Sequence, residues 1–468
     1  MRVTYLLAAF ACVGCCFVAA QAEDAIHVGH ARQLFVDDGV VGELVDVKLT
    51  LHEPVKYAGN PVLRGDKPWE AGSVAIYGTV IYDEQDQLFK MWYRAIDDTC
   101  YACYATSTDG VHWEKPALGI KPHKGSTENN IVLGSVEPKF YLDGFAVIKD
   151  ADEWDPARRY KMLTYNGDRR FATMVSPDGT HWRGPINRKQ HDTGDVVSMY
   201  HDRGLGRYVA LLKRRYVYED GTKVRARLTA FSEDFVNWSE PAWALVPDDA
   251  DRPSTHFYSH VAYPYQGIRI GCVTVFVKDT ELIDTHLCVS RDGRTWQRYR
   301  ERIPFLPNSE GTFDGGMLLA GASGLVIREG KIWIYYCGYS TDHAGRDHGD
   351  SAITNGIGLA QLRLDGFVSA DAGEQGGTLL TKPMVCSGTS LRINADAPEG
   401  EIRAEVLDAE GAPVPGCDVA SALPFSGDLL DAKLGWNTDP GTEILGKPVR
   451  IRFHLKNAKL YSFWFSHE

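Results

Sequence analysis

The amino-acid sequence predicts an all-β chain, a five-bladed β-propeller followed by a C-terminal β-sandwich. Three observations predict it. A Ser-x-Asp-Gly-x-x-Trp turn, or a close variant, recurs at residues 107–113, 176–182, 232–238 and 290–296, with first serines 69, 56 and 58 residues apart. Alternating apolar strands precede the copies. After Val368 the composition shifts to a Gly-rich run and then to short alternating strands between Gly and Pro turns. A period of about 60 residues with one such junction in each points to one small antiparallel sheet per repeat.

The turn has a local physical basis. Asp and Ser side chains accept backbone N–H groups two residues on, and Gly supplies a positive φ. The Trp covers the turn with a large apolar face. Asp109, Asp178, Asp234 and Asp292 are therefore read as structural.

In chain order, residues 1–22 read as a secretory signal, with Arg2 as the positive start, an apolar run over 5–19 and a small-x-small site at Ala20-Gln21-Ala22. The mature chain is expected to be secreted or periplasmic, and no other stretch is long enough to cross a membrane. Residues 34–38 and 45–51 read as short strands, and 60–63 leads into the first blade. An N-terminal strand of this kind is expected to complete the last blade. Each blade opens on an apolar inner strand and continues in a strand rich in aromatics: 75–82 with 88–93, 144–149 with 159–165, 195–201 with 207–212, and 257–263 with 268–276. The fifth has 317–320 and 325–327 with 331–336, and runs 356–364 in place of the turn. The expected division is 23–370 for the propeller, N-terminal strands included, and 371–468 for the sandwich.

Fifty Lys and Arg against 62 Asp and Glu leave a net charge of −12, so the basic footprint of a nucleic-acid binder is absent. Of ten cysteines, Cys12, Cys15 and Cys16 leave with the signal. Cys100 and Cys103 sit in an alternating strand and read as buried thiols rather than half a metal site. Cys272 with Cys288, and Cys386 with Cys417, are the candidate pairs.

Asn60-Pro-Val-Leu63, the stretch Tyr104-Ala-Thr-Ser-Thr-Asp-Gly-Val-His-Trp113, the five blade openings and the C-terminal sandwich carry a resemblance. The chain resembles the five-bladed propeller glycosidases, glycoside hydrolase families 32 and 43 and their relatives, including the mannoside phosphorylases of family 130. It looks closest to secreted family 32-like proteins of environmental bacteria. The resemblance implies three acidic residues from the first three blades: a nucleophile or base, a pKa-tuning Asp and a general acid. The family 32 motifs Asn-Asp-Pro-Asn-Gly, Arg-Asp-Pro and Glu-Cys are absent, which argues against fructosidase activity. Sialidase boxes carry an extra residue between Asp and Gly, and no arginine triad is evident here.

Glycosidic cleavage needs two carboxyl groups flanking the bond. Aligning blades by the Asp that ends each inner strand (Asp83, Asp150, Asp202) puts Asp143 and Asp195 at equivalent openings. The fifth blade offers Asp314. The first offers only Ile76 or Tyr77, with Glu70 and Asp66 upstream. The expected catalytic set is thus Glu70, Asp143, Asp195 and Asp314. In it Asp195 is acid or base, Glu70 its partner, and Asp143 sets orientation and pKa. Each Asp of this set also fits a turn, beside Gly144, Gly194 or Gly315. The expected substrate-binding set is Trp69, Tyr77, His256, Tyr258, His260 and Arg214. Strand alternation puts His256 and His260 on one face and Tyr258 on the other. Glu310 reads as loop. The expected partner is an oligo- or polysaccharide. Paired-carboxylate chemistry requires no cofactor, a structural calcium stays open, and nothing sets an oligomeric state. A glycoside phosphorylase and a non-catalytic glycan-binding propeller are the alternatives.

Overall fold

The computed structural model describes residues 25–134, 142–167, 169–187, 191–321, 324–349, 355–437 and 444–467. The expected signal, 1–22, lies outside the described residues. The chain is all-β. Among the described residues the helical elements are three one-turn 3-10 segments, Pro68–Glu70, Pro156–Arg158 and Arg203–Leu205. Among the described residues no helix is long and apolar enough to cross a membrane.

Successive antiparallel sheets follow the order of the chain. The first has four strands, Ser73–Asp83, Leu88–Ile96, Cys100–Ser107 and Ile131–Gly134. The second has three, Phe145–Lys149, Tyr160–Tyr165 and Phe171–Ser176. The third has four, Ser198–Asp202, Arg207–Val217, Lys223–Ser232 and Ala242–Leu245. A nine-stranded sheet then holds two antiparallel groups. One is built on Thr255–Tyr265, Ile268–Val277 and Leu282–Ser290, the other on Met317–Ala320, Lys331–Tyr339 and Asn355–Arg363. A single parallel pairing, Ile283 with Met317, joins them.

Alternation along each strand sends side chains into two different cores. Phe89, Met91, Tyr93 and Ala95 meet Trp333, Tyr335 and Leu359 of the last group. Trp92, on the other face, meets Tyr160 and Met162 of the second sheet. Further cores join the second sheet to the third and the third to the fourth. Burial on both faces explains the near-continuous apolar run of Ile268–Val277.

The recurring turn forms as its sequence predicts. In all four copies the Ser Oγ accepts the N–H three residues on at 2.8–2.9 Å, and Asp Oδ1 accepts two further N–H groups at 2.7–2.9 Å. The fourth turn residue has φ of 76° at Gly110, 82° at Gly179, 64° at Phe235 and 71° at Gly293. Phe235 tolerates that conformation because its ring is fully buried. A carbonyl of each turn accepts from the neighbouring sheet: Gly110 from Tyr335, Gly179 from Trp92, Asp234 from Arg158 and Asp292 from Arg207. A Cβ at Gly179 would lie 2.6 Å from the Trp92 ring. Gly179→Ala is therefore expected to cost about 1–3 kcal/mol of stability, from the left-handed backbone and overpacking together. Denaturant unfolding checks it.

The aspartates that end the inner strands are latches. Asp83 accepts from Lys149 at 2.7 Å and Tyr160 at 3.1 Å in the next sheet, as well as from Lys90 at 2.7 Å in its own. Burial works to raise the Asp83 carboxyl. The two lysines overcome it and hold the group well below the usual carboxylate range. Asp150 accepts from Tyr208 at 2.5 Å, and Asp202 takes Arg269 in two bonds of 2.6 and 2.9 Å.

The N-terminal strands pair differently from the expectation. Ile26–Gly29, Gln33–Leu34, Val41–Val45 and Lys48–Leu51 pair with strands of the C-terminal part, in an eleven-stranded assembly with Val368–Ala372, Gly377–Thr381 and the strands after them. The short segment Val55–Lys56 is what extends the last group, beside Gln361 and Ala360. Asn60 reinforces it, exchanging two bonds of 2.8 and 2.9 Å with the Leu359 backbone. Strand partners are chosen by long-range packing, which strand periodicity does not encode.

The seven described cysteines are buried and none is in a disulfide. Cys272 lies opposite Leu287, and Cys288 opposite Gly271. The two cysteines therefore point to opposite faces, which rules out the expected bridge. The candidate bridge from Cys386 to Cys417 is likewise not formed.

Candidate functional site

The inner strands begin at one end of the sheets, and that end brings together two of the expected carboxylates, Asp143 and Asp195. Asp143 precedes Gly144, whose N–H donates to the Asp195 carbonyl at 3.1 Å. A Cβ at residue 144 would stand 2.7 Å from that carbonyl oxygen, so a glycine is what lets the two loops run together. Each carboxylate has its own cation. Arg94, near the end of Leu88–Ile96, pairs with Asp143, and Lys213, in Arg207–Val217, pairs with Asp195. Both cations are nearly buried, while the Asp143 side chain is 18% exposed and that of Asp195 46%.

Aromatic rings back the two pairs. The Arg94 guanidinium lies 4.5 Å from the centre of the Tyr77 ring, and the Lys213 ammonium 4.6 Å from that of Tyr258. Tyr339 adds a third hydroxyl: burial raises Tyr77 with help from Tyr339, and burial raises Tyr339 with help from Tyr258. Behind them Arg227 is fully buried, donating to the carbonyls of Tyr258 at 3.2 Å and Val196 at 3.3 Å. Burial pulls its guanidinium down to about 9, against the pull of Asp195, so it stays charged at neutral pH.

The environment separates the two carboxyl groups. Burial raises Asp143, assisted by the charge on Asp195 and opposed by Arg94. Burial also works to raise Asp195, but the charge and hydrogen bond of Lys213 outweigh it and the group is lowered. Lys213 is in turn lowered by its own burial.

The remaining expected residues lie elsewhere or face away. Glu70 is completely buried. It accepts from the N–H groups of Asp66 at 2.8 Å and Lys67 at 2.9 Å, from Lys115 at 2.8 Å and from the Tyr93 hydroxyl at 2.6 Å. Tyr93 and Arg94 are adjacent in one strand and so point to opposite faces, which puts Glu70 across the sheet from Asp143. Trp69 donates to Asn130 at 2.8 Å beside it. Asp314 is buried and holds Lys56 at 2.7 Å and Tyr336 at 2.9 Å, clamping Val55–Lys56 in place. Glu310 is exposed.

Tyr258 occupies a β-bulge: Phe257 opposes Val275 and Ser259 opposes Thr274. The extra residue reverses the alternation. His256 then faces as Phe276 does and His260 as Val273 does, on opposite sides of the sheet, not on one. His260 is a core residue, 3.4 Å from Cys288 Sγ and edge-on to Trp296. Arg214 donates to the Asp192 carbonyl at 2.8 Å on the face opposite Lys213. Of the neighbouring cations Lys213 and Arg214, it is therefore Lys213 that meets the candidate site. Arg94, Arg227 and Tyr339 were not singled out from the sequence. The charge of Arg94 at the end of a buried aromatic strand was the available signal.

No family model matches the chain, and no curated protein does. Solved structures show a distant likeness. One is a protein in complex with RGII, 14% identical, with a TM-score of 0.48 over 66% of this sequence and 92% of that protein. A glycoside hydrolase is 13% identical, at 0.46 over 67% and 92%. A third comes from work on the GH130 family of mannoside phosphorylases, which contains glycoside hydrolases that target β-1,2 mannosidic linkages in Candida mannan. It is 16% identical, at 0.45 over 69% and 97%.

Proposed function

We propose that this chain is a carbohydrate-active enzyme, a glycoside hydrolase that cleaves its substrate between Asp143 and Asp195. The observation that carries the reading is that these adjacent carboxyl groups are pushed apart in pKa, Asp143 upward by burial and Asp195 downward by Lys213. Such a pair divides acid and base roles. Asp143 holds the proton for the leaving oxygen, and the half-exposed Asp195 acts ionised, as base or nucleophile. Tyr77 and Tyr258 offer apolar faces to a sugar ring. The fold reading that goes with it is a five-bladed propeller, with the site at the mouth of its funnel, and a C-terminal β-sandwich beginning near residue 371. Sheets sharing cores in cyclic order, the first with the last, support it. The protein acts outside the cytoplasm once residues 1–22 are removed, which N-terminal sequencing of exported protein checks.

The test is a broad glycan library incubated with the mature protein, with and without inorganic phosphate. Phosphate-independent reducing-end product supports hydrolysis. One observation favours a second reading, a phosphorylase: Arg94, Lys213 and Arg227 crowd the two carboxylates with positive charge. Phosphate-dependent formation of a sugar phosphate would select it. The pH profile is a separate check. Asp143 must be protonated and Asp195 ionised, and their pKa values lie above and below the usual carboxylate value. The working window lies between the two, so kcat/KM is expected to peak in the acid range and fall as pH rises past the pKa of Asp143.

A further inference from the structure

One face of the hairpin formed by Arg207–Val217 and Lys223–Ser232 carries a row of like charges. Lys213 stands directly opposite Arg227, and Arg215 directly opposite Arg225. Like charges in facing positions disfavour the pairing; Asp195 offsets Lys213 and two carbonyls hold Arg227, but among the described residues no carboxylate offsets Arg215 or Arg225. Beyond this row a pocket of about 240 Å³ opens, lined by Arg215, Lys223, Arg225 and Lys278 with His256 and His343. Its one carboxylate, Glu281, lies 3.3 Å from His343. Among the described residues none of the four Arg and Lys side chains forms an ion pair. The chain as a whole carries −12, so this positive concentration is local.

The pocket adjoins the candidate site through one ring. The Arg225 guanidinium lies 5.6 Å from the centre of the Tyr258 ring, against which Lys213, the partner of Asp195, also packs. His256 Nδ1 lies 2.9 Å from the Arg225 backbone nitrogen and accepts its N–H, so the neutral imidazole carries its proton on Nε2 as a further donor. Burial and the charges of Arg225, Lys278 and Arg215 lower His256 to about 4, and a bound anion would relieve that field.

We propose that this pocket is an oxyanion subsite that holds a carboxylate or sulfate group on the glycan bound at Asp143 and Asp195. Planar guanidinium groups suit both anions, and the cations replace the water such a group loses. The assignment deepens the glycosidase reading and rests on it for the identity of the ligand. The test compares uronate-containing, sulfated and neutral oligosaccharides, using wild type and an Arg215→Gln/Lys278→Gln double variant. Neither replaced side chain forms an ion pair that the substitution would break. Turnover is measured with these proteins, and calorimetric binding on an Asp195→Asn background.

The preference for anionic over neutral glycans is expected to fall by about 10- to 100-fold in the double variant. Equal use of neutral and anionic glycans by wild type, or an unchanged preference in the double variant, overturns the subsite while leaving hydrolysis standing. Loss of anionic-glycan binding in a protein that cleaves nothing upholds the subsite and removes the hydrolase. Turnover that requires inorganic phosphate, with phosphate competing for the pocket, overturns the glycan-anion assignment in favour of a phosphate co-substrate.

Discussion

Asp195→Asn is expected to lower glycan cleavage by about 10²–10⁴-fold, the usual contribution of a positioned acid or base. The substitution keeps the shape of the side chain and its acceptor oxygen toward Lys213, so the loop beside Gly144 stays in place. What it removes is the negative charge that an attacking water or an oxocarbenium-like centre requires. It also leaves the Lys213 ammonium, only 9% exposed, without its counter-charge. That ammonium is already lowered by burial and can give up its proton instead of unfolding the site. Circular dichroism should therefore report a folded variant, and initial rates on the best library substrate should report the loss. Wild-type rates from the variant would remove Asp195 from the mechanism, and with it the proposed division of labour with Asp143.

Glu70→Gln is expected to act on stability rather than chemistry. The carboxylate is fully buried and meets four donors, one of them Lys115, itself only 7% exposed. A glutamine supplies one acceptor oxygen where two are used, and turns an N–H₂ toward donors. Breaking a buried ion pair from one side costs on the order of 3 kcal/mol or more. Lys115 keeps Asp66 at 2.7 Å, but that carboxylate is 63% exposed and compensates little. A lowered denaturation midpoint, with turnover per folded molecule near wild type, is the expected result. Lost turnover at unchanged stability would return Glu70 to the catalytic set and overturn its assignment as a clamp beneath Pro68–Glu70.

Comparison of these two carboxylates shows how much of the site was legible beforehand. Asp143 and Asp195 follow from aligning strand ends, a relation internal to the repeat, and their loops do run side by side. Glu70 rests only on nearness in sequence to a blade that lacks an equivalent acid. Proximity along the chain says nothing about which face of a sheet a side chain reaches. Asp314 is the acid that the fifth blade offers, yet it serves as a clamp, because Lys56 arrives from 258 residues away. The expectation that His256 and His260 share a face fails for another reason. Period-two alternation predicts one face, and a single extra residue at Tyr258 reverses it. Arg214 lost to its neighbours by the same parity.

Residues that act within a few positions of one another were readable without coordinates. The Ser-Asp-Gly turn depends on side chain to backbone bonds over two or three residues, so its chemistry is written in the motif and repeats wherever the motif does. Strand alternation and the all-β class follow equally from local pattern. The tertiary structure decided what no local pattern holds: that residues 26–51 pair with the C-terminal strands, that Cys272 and Cys288 face apart, and that Arg94 and Lys213 each meet a carboxylate from another loop. Those outcomes depend on which distant strands exclude water together; burial then raises Asp143, while the Lys213 ammonium outweighs burial and lowers the chemically identical Asp195.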